Sequence, residues 1–261
     1  MITIKSEREI KLMRKAGMLV SEMHKFIKPY IKEGITTKEL DRLCEEFIRS
    51  KDCTPSFKGC EWFPNAVCMS VNDCIVHGYP SDYKLKNGDI ITLDIGACYK
   101  GYHGDSGWTY AVGNVDDDSK FLMEHTEKAL YEGIKQAKAG NRVGDISYAV
   151  EQYALAHNLG VVKEFVGHGV GTSVHEDPSV PNYGEKGRGP LLKEGMVIAI
   201  EPMLTLGTDE IDIDDNDLTA YTADGKNAAH YEHTIVITSG EPIILTGVNK
   251  DGKEWNYRSR R

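Results

Sequence analysis

Five residues of this sequence combine side-chain type and placement in a way that could do chemistry: Asp94, Asp105, His168, Glu201 and Glu232. Asp94 ends an apolar strand over residues 90–95, in which Ile90, Thr92 and Asp94 share one face and Ile91, Leu93 and Ile95 the other. A hairpin turn around Tyr99-Lys100-Gly101 is expected to return the chain as a second strand carrying Asp105. With a two-residue loop, either Tyr99-Lys100 or Lys100-Gly101, the two aspartates fall on one face, directly opposite or one diagonal step apart. Like charges so placed destabilise a ladder. They persist where a cation sits between them or where one keeps its proton. His168 sits in Gly167-His-Gly-Val-Gly171, where glycines let the backbone pass close to something. Glu201 follows the apolar run 196–200 and precedes Pro202, while Glu232 opens a strand over 234–237. A lone acidic residue beside a strand is ordinarily a solvated charge. Several of them with a glycine-flanked histidine point to a metal site. On type alone this donor list would also serve a two-metal phosphoesterase, but the candidate site lacks the basic residues a phosphate would want.

Such a site needs elements to hold it. Ile10, Met13, Gly17, Val20, His24 and Ile27 recur at helical steps, and a second helix starts at Thr36, whose spacing to Glu39 fits a capping box. That helix presents Leu40, Leu43, Phe47 and Ile48 on one face. β segments follow to about residue 112, then helices over about 119–138 and 144–157, the latter stopping near Gly160, then strands again. The order helix, helix, strands therefore occurs twice. Leu85-Lys-Asn-Gly-Asp-Ile-Ile-Thr-Leu-Asp94 aligns without gaps on Leu192-Lys-Glu-Gly-Met-Val-Ile-Ala-Ile-Glu201, and Lys32–Leu40 echoes Lys138–Ile146, at offsets of 107 and 106 residues. A duplicated, pseudo-two-fold domain is expected, with halves over about 1–112 and 113–240. Asp94 and Glu201 would face each other across its axis.

Composition narrows the partners. The 261 residues carry a formal charge of −9, which argues against nucleic acid, and the only basic cluster is the tail Arg258, Arg260 and Arg261, read as a solvated terminus. No apolar run approaches the roughly 20 residues of a membrane helix. Lys5, Glu7, Arg8, Glu9 and Lys11 occupy the place of a signal peptide's apolar stretch, so the cytoplasm is expected. The six cysteines form no C-x-x-C pair and are expected to be free, mostly buried thiols. The acidic segment 209–217 reads as a solvated loop.

The five candidates, with His77 and His175, match in type, order and spacing the metal ligands and histidines of type I methionine aminopeptidases, so the chain resembles that bacterial family over nearly its whole length. The strings His168-Gly-Val-Gly171, Glu201-Pro-Met203 and Glu232-His-Thr234 carry the resemblance. It implies an α/β (α+β) pita-bread fold, one catalytic domain over 1–261 with a central antiparallel sheet, and a peptidase that removes the N-terminal methionine of nascent polypeptides before a small second residue. Under that rule Met1, followed by Ile2, stays in place.

The resemblance implies two divalent metal ions, bridged by Asp105 and Glu232, with Asp94 on one and His168 and Glu201 on the other. Four carboxylates and one imidazole favour Mn, Fe or Co, with Zn a further candidate. A water shared by two cations becomes the nucleophile near neutral pH. Glu201 is implied as general base, His175 as donor to the oxyanion, and His77 as a substrate contact near the scissile bond. The methionine pocket would be lined by Phe57, Cys60, Phe63, Cys68 and Val174, with Leu218 nearby. Cys60 and Leu218 stand where familiar members carry aromatic rings. A monomer with transient ribosome association is expected. The rivals are a proline-specific peptidase of the same fold, which usually carries a further N-terminal domain, and a non-catalytic pita-bread binding protein, which has lost ligands.

Overall fold

The computed structural model describes residues 1–216 and 218–247. Arg258, Arg260 and Arg261, and Asp217 of the acidic segment, lie outside the described residues. Helix α1 (Glu7–Ile27) begins at a reciprocal cap: the Ser6 hydroxyl accepts from the Glu9 N–H and the Glu9 carboxylate from the Ser6 N–H. Its stripe of Ile10, Met13, Val20 and Ile27 is buried. Gly17 belongs to that stripe because the Leu245 carbonyl occupies the place a Cβ would take. His24 is half-buried, with Nδ1 2.8 Å from the Tyr110 hydroxyl and Nε2 3.0 Å from the Ser106 carbonyl.

Helix α2 (Thr37–Arg49) is capped by Thr36, whose Oγ1 accepts from the Glu39 N–H at 3.1 Å. The capping box expected there is only half formed. The Glu39 carboxylate turns instead to the Arg42 guanidinium at 2.7 and 2.9 Å, two charge-assisted bonds one turn along the helix. Helix α3 (Asp117–Gln136) starts two residues before the expected position because Asp116 caps it. Helix α4 (Val143–Ala156) ends before Asn158, where φ is 56°.

The Ile90–Tyr99 strand pairs antiparallel with Tyr102–Ala111 along its whole length, Tyr99 opposite Tyr102. The loop is therefore Lys100-Gly101, with φ of 50° and 81°, the positive-φ pair that a tight hairpin of right-handed twist requires. This register places Asp94 opposite Gly107 and Asp105 opposite Gly96, the diagonal one of the two arrangements. Across the other edge, Cys68 faces Asp94. In the second half, five antiparallel strands run in the order Ile243–Ile244, His233–Val236, Val197–Ile200, Gly167–Gly169, Glu176–Val180. His233 lies opposite Ile200, and continuing that register by one residue sets Glu232 against Glu201.

Packing decides which face is left for chemistry. Ile91, Leu93 and Ile95 are buried with Val20, Met23, Ile27, Leu40 and Ile48 of α1 and α2. Ile198, Ile200 and Ile235 are buried with Leu122, Leu130, Ile134, Ile146 and Val150 of α3 and α4. Each helix pair thus covers one face of its strands, so the alternation of side chains turns Asp94 away from α1 and α2 and Glu201 away from α3 and α4. The six cysteines are free, four of them buried. The acidic segment is not simply a loop: Ile211–Ile213 pairs with Ala220–Thr222, which pairs with Cys74–Val76. Among the described residues, no helix is long and apolar enough to cross a membrane.

Candidate metal centre

The five candidates come together where the two sets of strands meet. Asp94 and Asp105 project from the long hairpin, His168 from the middle of Gly167–Gly169, Glu201 from the end of Val197–Ile200, and Glu232 from the residue before His233–Val236. Asp105, His168 and Glu232 can each bring a donor atom within 4.8 Å of the other two. His168 Nε2 lies 3.3 Å from Glu201 Oε1 and 3.9 Å from Asp105 Oδ2, and the Asp94 carboxyl contacts those of Asp105 and Glu232.

The junction is stitched by side chains bonding across to backbone. Thr234 Oγ1 accepts from the Asp105 N–H at 3.0 Å and donates to the Asp105 carbonyl at 2.8 Å. Ser106 Oγ donates to the Glu232 carbonyl at 2.7 Å, and the Glu232 N–H donates to the Gly107 carbonyl at 2.8 Å. Asn182 Nδ2 donates to the Glu201 carbonyl at 3.0 Å.

Electrostatically this cluster is incomplete without a cation. Burial, then mutual repulsion, pushes the Asp105, Glu201 and Glu232 carboxyls well above their ordinary range, and burial moves Asp94 to about 6. Asp94 Oδ1, Asp105 Oδ1, Glu201 Oε1 and Glu232 Oε1 are buried without a hydrogen-bond partner. His168 Nδ1 lies 2.9 Å from the Gly169 carbonyl, so it carries the proton and leaves the Nε2 lone pair facing carboxylates. Lone pair against carboxylate is repulsive, and four orphaned oxygens in one place are expensive. Divalent cations would satisfy all of them, and an oxygen-rich donor set with one imidazole suits such ions chemically.

A cavity of about 250 Å³ opens above the carboxylates. Phe57, Cys60, Phe63 and Cys68 line it, together with His77, His175 and Leu218. Val174 is buried against Phe57, Phe63 and Cys68. His77 adopts φ of 57°, and its Nδ1 lies 3.2 Å from the Leu218 carbonyl, so the backbone of Leu218 orients this ring whatever its side chain does. The ring centroids of His168 and His175 are 4.5 Å apart, nearly perpendicular.

Three residues outside the sequence-based set shape the cavity. Phe165 meets His77 edge-on at 5.2 Å, Tyr79 meets Phe63 at 5.1 Å, and His230 lies 3.7 Å from Glu201 Oε2. Tyr79 and His230 stand two residues from His77 and Glu232, but both pairs run outside a regular strand, His77 with φ of 57°, so alternation gave no signal for them. Phe165 had no local signal.

A buried acidic cluster at the junction of two strand sets, with one imidazole, defines a class. The chain belongs to metallopeptidase family M24, whose model matches residues 11–239. Within it, the chain is 50% identical over 248 residues to methionine aminopeptidase 1 of Bacillus subtilis, covering 95% of this chain and 100% of that one. It is 48% identical to the methionine aminopeptidase of Clostridium perfringens, covering 94% of this chain and 99% of that one. The crystal structure of methionine aminopeptidase from Rickettsia prowazekii superposes with a TM-score of 0.93 at 38% identity, covering 94% and 100%. The resemblance read from the residues, to type I methionine aminopeptidases with the pita-bread fold, is borne out.

Proposed function

We propose that this chain hydrolyses the N-terminal methionine from nascent polypeptides whose second residue is small, with Glu201 as general base. The observation that supports this most is one cavity holding both a cluster of orphaned carboxylate oxygens and, one ladder position from Asp94, an apolar slot of rings and thiols. Asp94, Asp105, His168, Glu201 and Glu232 would hold two divalent ions. Mn, Fe or Co suits these donors better than Zn. When bound, the ions supply an acidified water and a polarised scissile carbonyl. Glu201 takes the proton from the attacking water and passes it to the leaving amine. His175 donates to the carbonyl oxygen as it gains charge. His77, fixed by Leu218 and Phe165, contacts the substrate backbone near the scissile bond. The thioether of methionine fits among Phe57, Cys60, Phe63 and Cys68, since sulfur packs favourably on rings.

We read the chain as one catalytic domain over 1–261 with repeated halves of about 1–112 and 113–240, a reading supported by the two helix pairs lying on corresponding strand sets. Transient association with the ribosome follows from the substrate class, and we take the chain to work as a monomer in the cytoplasm. The net charge of −9 disfavours nucleic acid as a partner. The test is Glu201→Gln, which keeps size and removes the base. Methionine release from Met-Ala-Ser should fall by about 10²–10⁴-fold, and a variant as active as its parent would overturn the assignment.

A further inference from the structure

His230 is a buried imidazole for which the chemistry above has no use. It ends the Ala228–His230 strand, is 2% exposed, and lines the cavity. Its Nε2 has no hydrogen-bond partner and points toward Glu201, 3.7 Å from Oε2. The seat is built for the ring. Its backbone N–H donates to Thr109 Oγ1 at 3.1 Å, and its carbonyl accepts from the same hydroxyl at 2.9 Å. Gly107 leaves the space: a Cβ there would meet Cε1 at 3.0 Å and Nε2 at 3.2 Å. An imidazole held this firmly and left unpaired in the interior is costly, and structures keep such groups where a partner arrives in the working state.

Glu201 is that partner. Its carboxylate lies between two imidazoles, Oε1 on the His168 side and Oε2 on the His230 side. The two oxygens have different work in the proposed reaction: one belongs with His168 in the ligand set, and the other must keep a lone pair open to take a proton. A carboxylate with nothing fixing its second oxygen can rotate and present both to the cation. We propose that His230 is a positioning residue for Glu201, its Nε2–H donating to Oε2 so that Oε1 stays with His168 and Oε2 stays turned to the substrate side. The gap closes to hydrogen-bond length with a shift of less than about 1 Å. This inference rests on Glu201 being the general base.

The experiment compares the parent with His230→Ala and with His230→Gln, whose amide keeps an N–H at similar reach. Outer-shell partners of ligating groups are worth about 10–100-fold, so kcat on Met-Ala-Ser should fall by about that factor in His230→Ala with KM within about three-fold, and His230→Gln should restore most of it. Calorimetric titration of Mn into metal-free protein should show affinity falling in His230→Ala by about 10–100-fold at most, because a released Glu201 is a poorer ligand, and largely recovering in His230→Gln. The visible absorption of the Co-loaded variant should change as the Glu201 carboxylate relaxes. Unchanged kcat, equal loss in both variants, or a KM effect alone would overturn the inference. So would a loss of Mn affinity in His230→Gln as large as in His230→Ala, which would make the ring itself a ligand. A parent that releases no methionine would defeat the functional reading instead. The Co spectrum would then decide His230, since an unchanged band in His230→Ala rejects the contact.

Discussion

Thr234→Val exchanges a hydroxyl for a methyl of nearly the same size at a site with no solvent exposure, so it tests the stitching of the two strand sets with little change of packing. The hydroxyl holds both backbone groups of Asp105, at 3.0 Å and 2.8 Å. Valine leaves a buried N–H and a buried carbonyl unpaired. Each such group costs about 1–3 kcal/mol, giving about 2–6 kcal/mol for the pair. For a chain of this size a mid-range loss lowers Tm by roughly 10 °C. Asp105 would also be less firmly held against Glu232, so Mn affinity should fall by about 10–100-fold. The control is Thr126→Val in α3, whose hydroxyl donates to the Leu122 carbonyl at 2.7 Å. That carbonyl keeps its helical partner, so the control should cost less than about 1 kcal/mol. Urea unfolding of both metal-free variants, followed by calorimetric Mn titration, reads out both effects. A Thr234→Val protein as stable as Thr126→Val, with parental Mn affinity, would refute the reasoning.

The remaining expectations concern pH and metal. Burial opposes ionisation of Glu176, but hydrogen bonds from Lys5 Nζ at 2.8 Å and from the Ser173 N–H outweigh it and hold the carboxyl at about 2, against an ordinary 4.5. A depressed acid contributes stability that is complete above pH 4.5 and disappears as pH falls towards 2. Glu176→Gln should therefore be less stable than the parent at pH 7 and indistinguishable from it at pH 2 by denaturant unfolding, and a gap that persists at pH 2 would contradict this. Since Glu176 also ties down the Thr172 N–H in the loop that carries His175, the same variant should lose activity at pH 7. Added Mn should raise Tm, by the equivalent of about 2.7 kcal/mol at a hundredfold excess over Kd. Because Asp105, Glu201 and Glu232 are raised, the folded metal-free protein takes up their protons first as pH falls, and protons then compete with metal. The Mn-induced rise in Tm should shrink between pH 7.5 and 5.5; a rise independent of pH would argue against these ligands.

Much of the site was legible because strand alternation is a local rule. Counting residues along the hairpin puts Asp94 and Asp105 on one face, and the repeated segments 85–94 and 192–201 tie Glu201 to Asp94. Alternation could not choose between two hairpin registers, since both loops keep that face; the positive φ at Lys100 settles it. The capping box at Thr36 failed because Arg42, three residues beyond Glu39, competes for the same carboxylate. His230 escaped notice because burial without a partner is a property of packing, set by Gly107 and Thr109 on a strand more than 100 residues away. Phe165 and the Lys5–Glu176 pair are likewise products of chain crossing, with no trace in nearby sequence.

The central claim, metal-dependent release of N-terminal methionine, is tested most directly with metal-stripped protein, assayed for free methionine from Met-Ala-Ser with and without Mn, Fe or Co. Met-Leu-Ser and Ala-Pro-Ala serve as controls. The expected result is release from Met-Ala-Ser alone, and only with metal. No release with any metal from a folded chain, or cleavage of Ala-Pro-Ala in its place, would contradict the account.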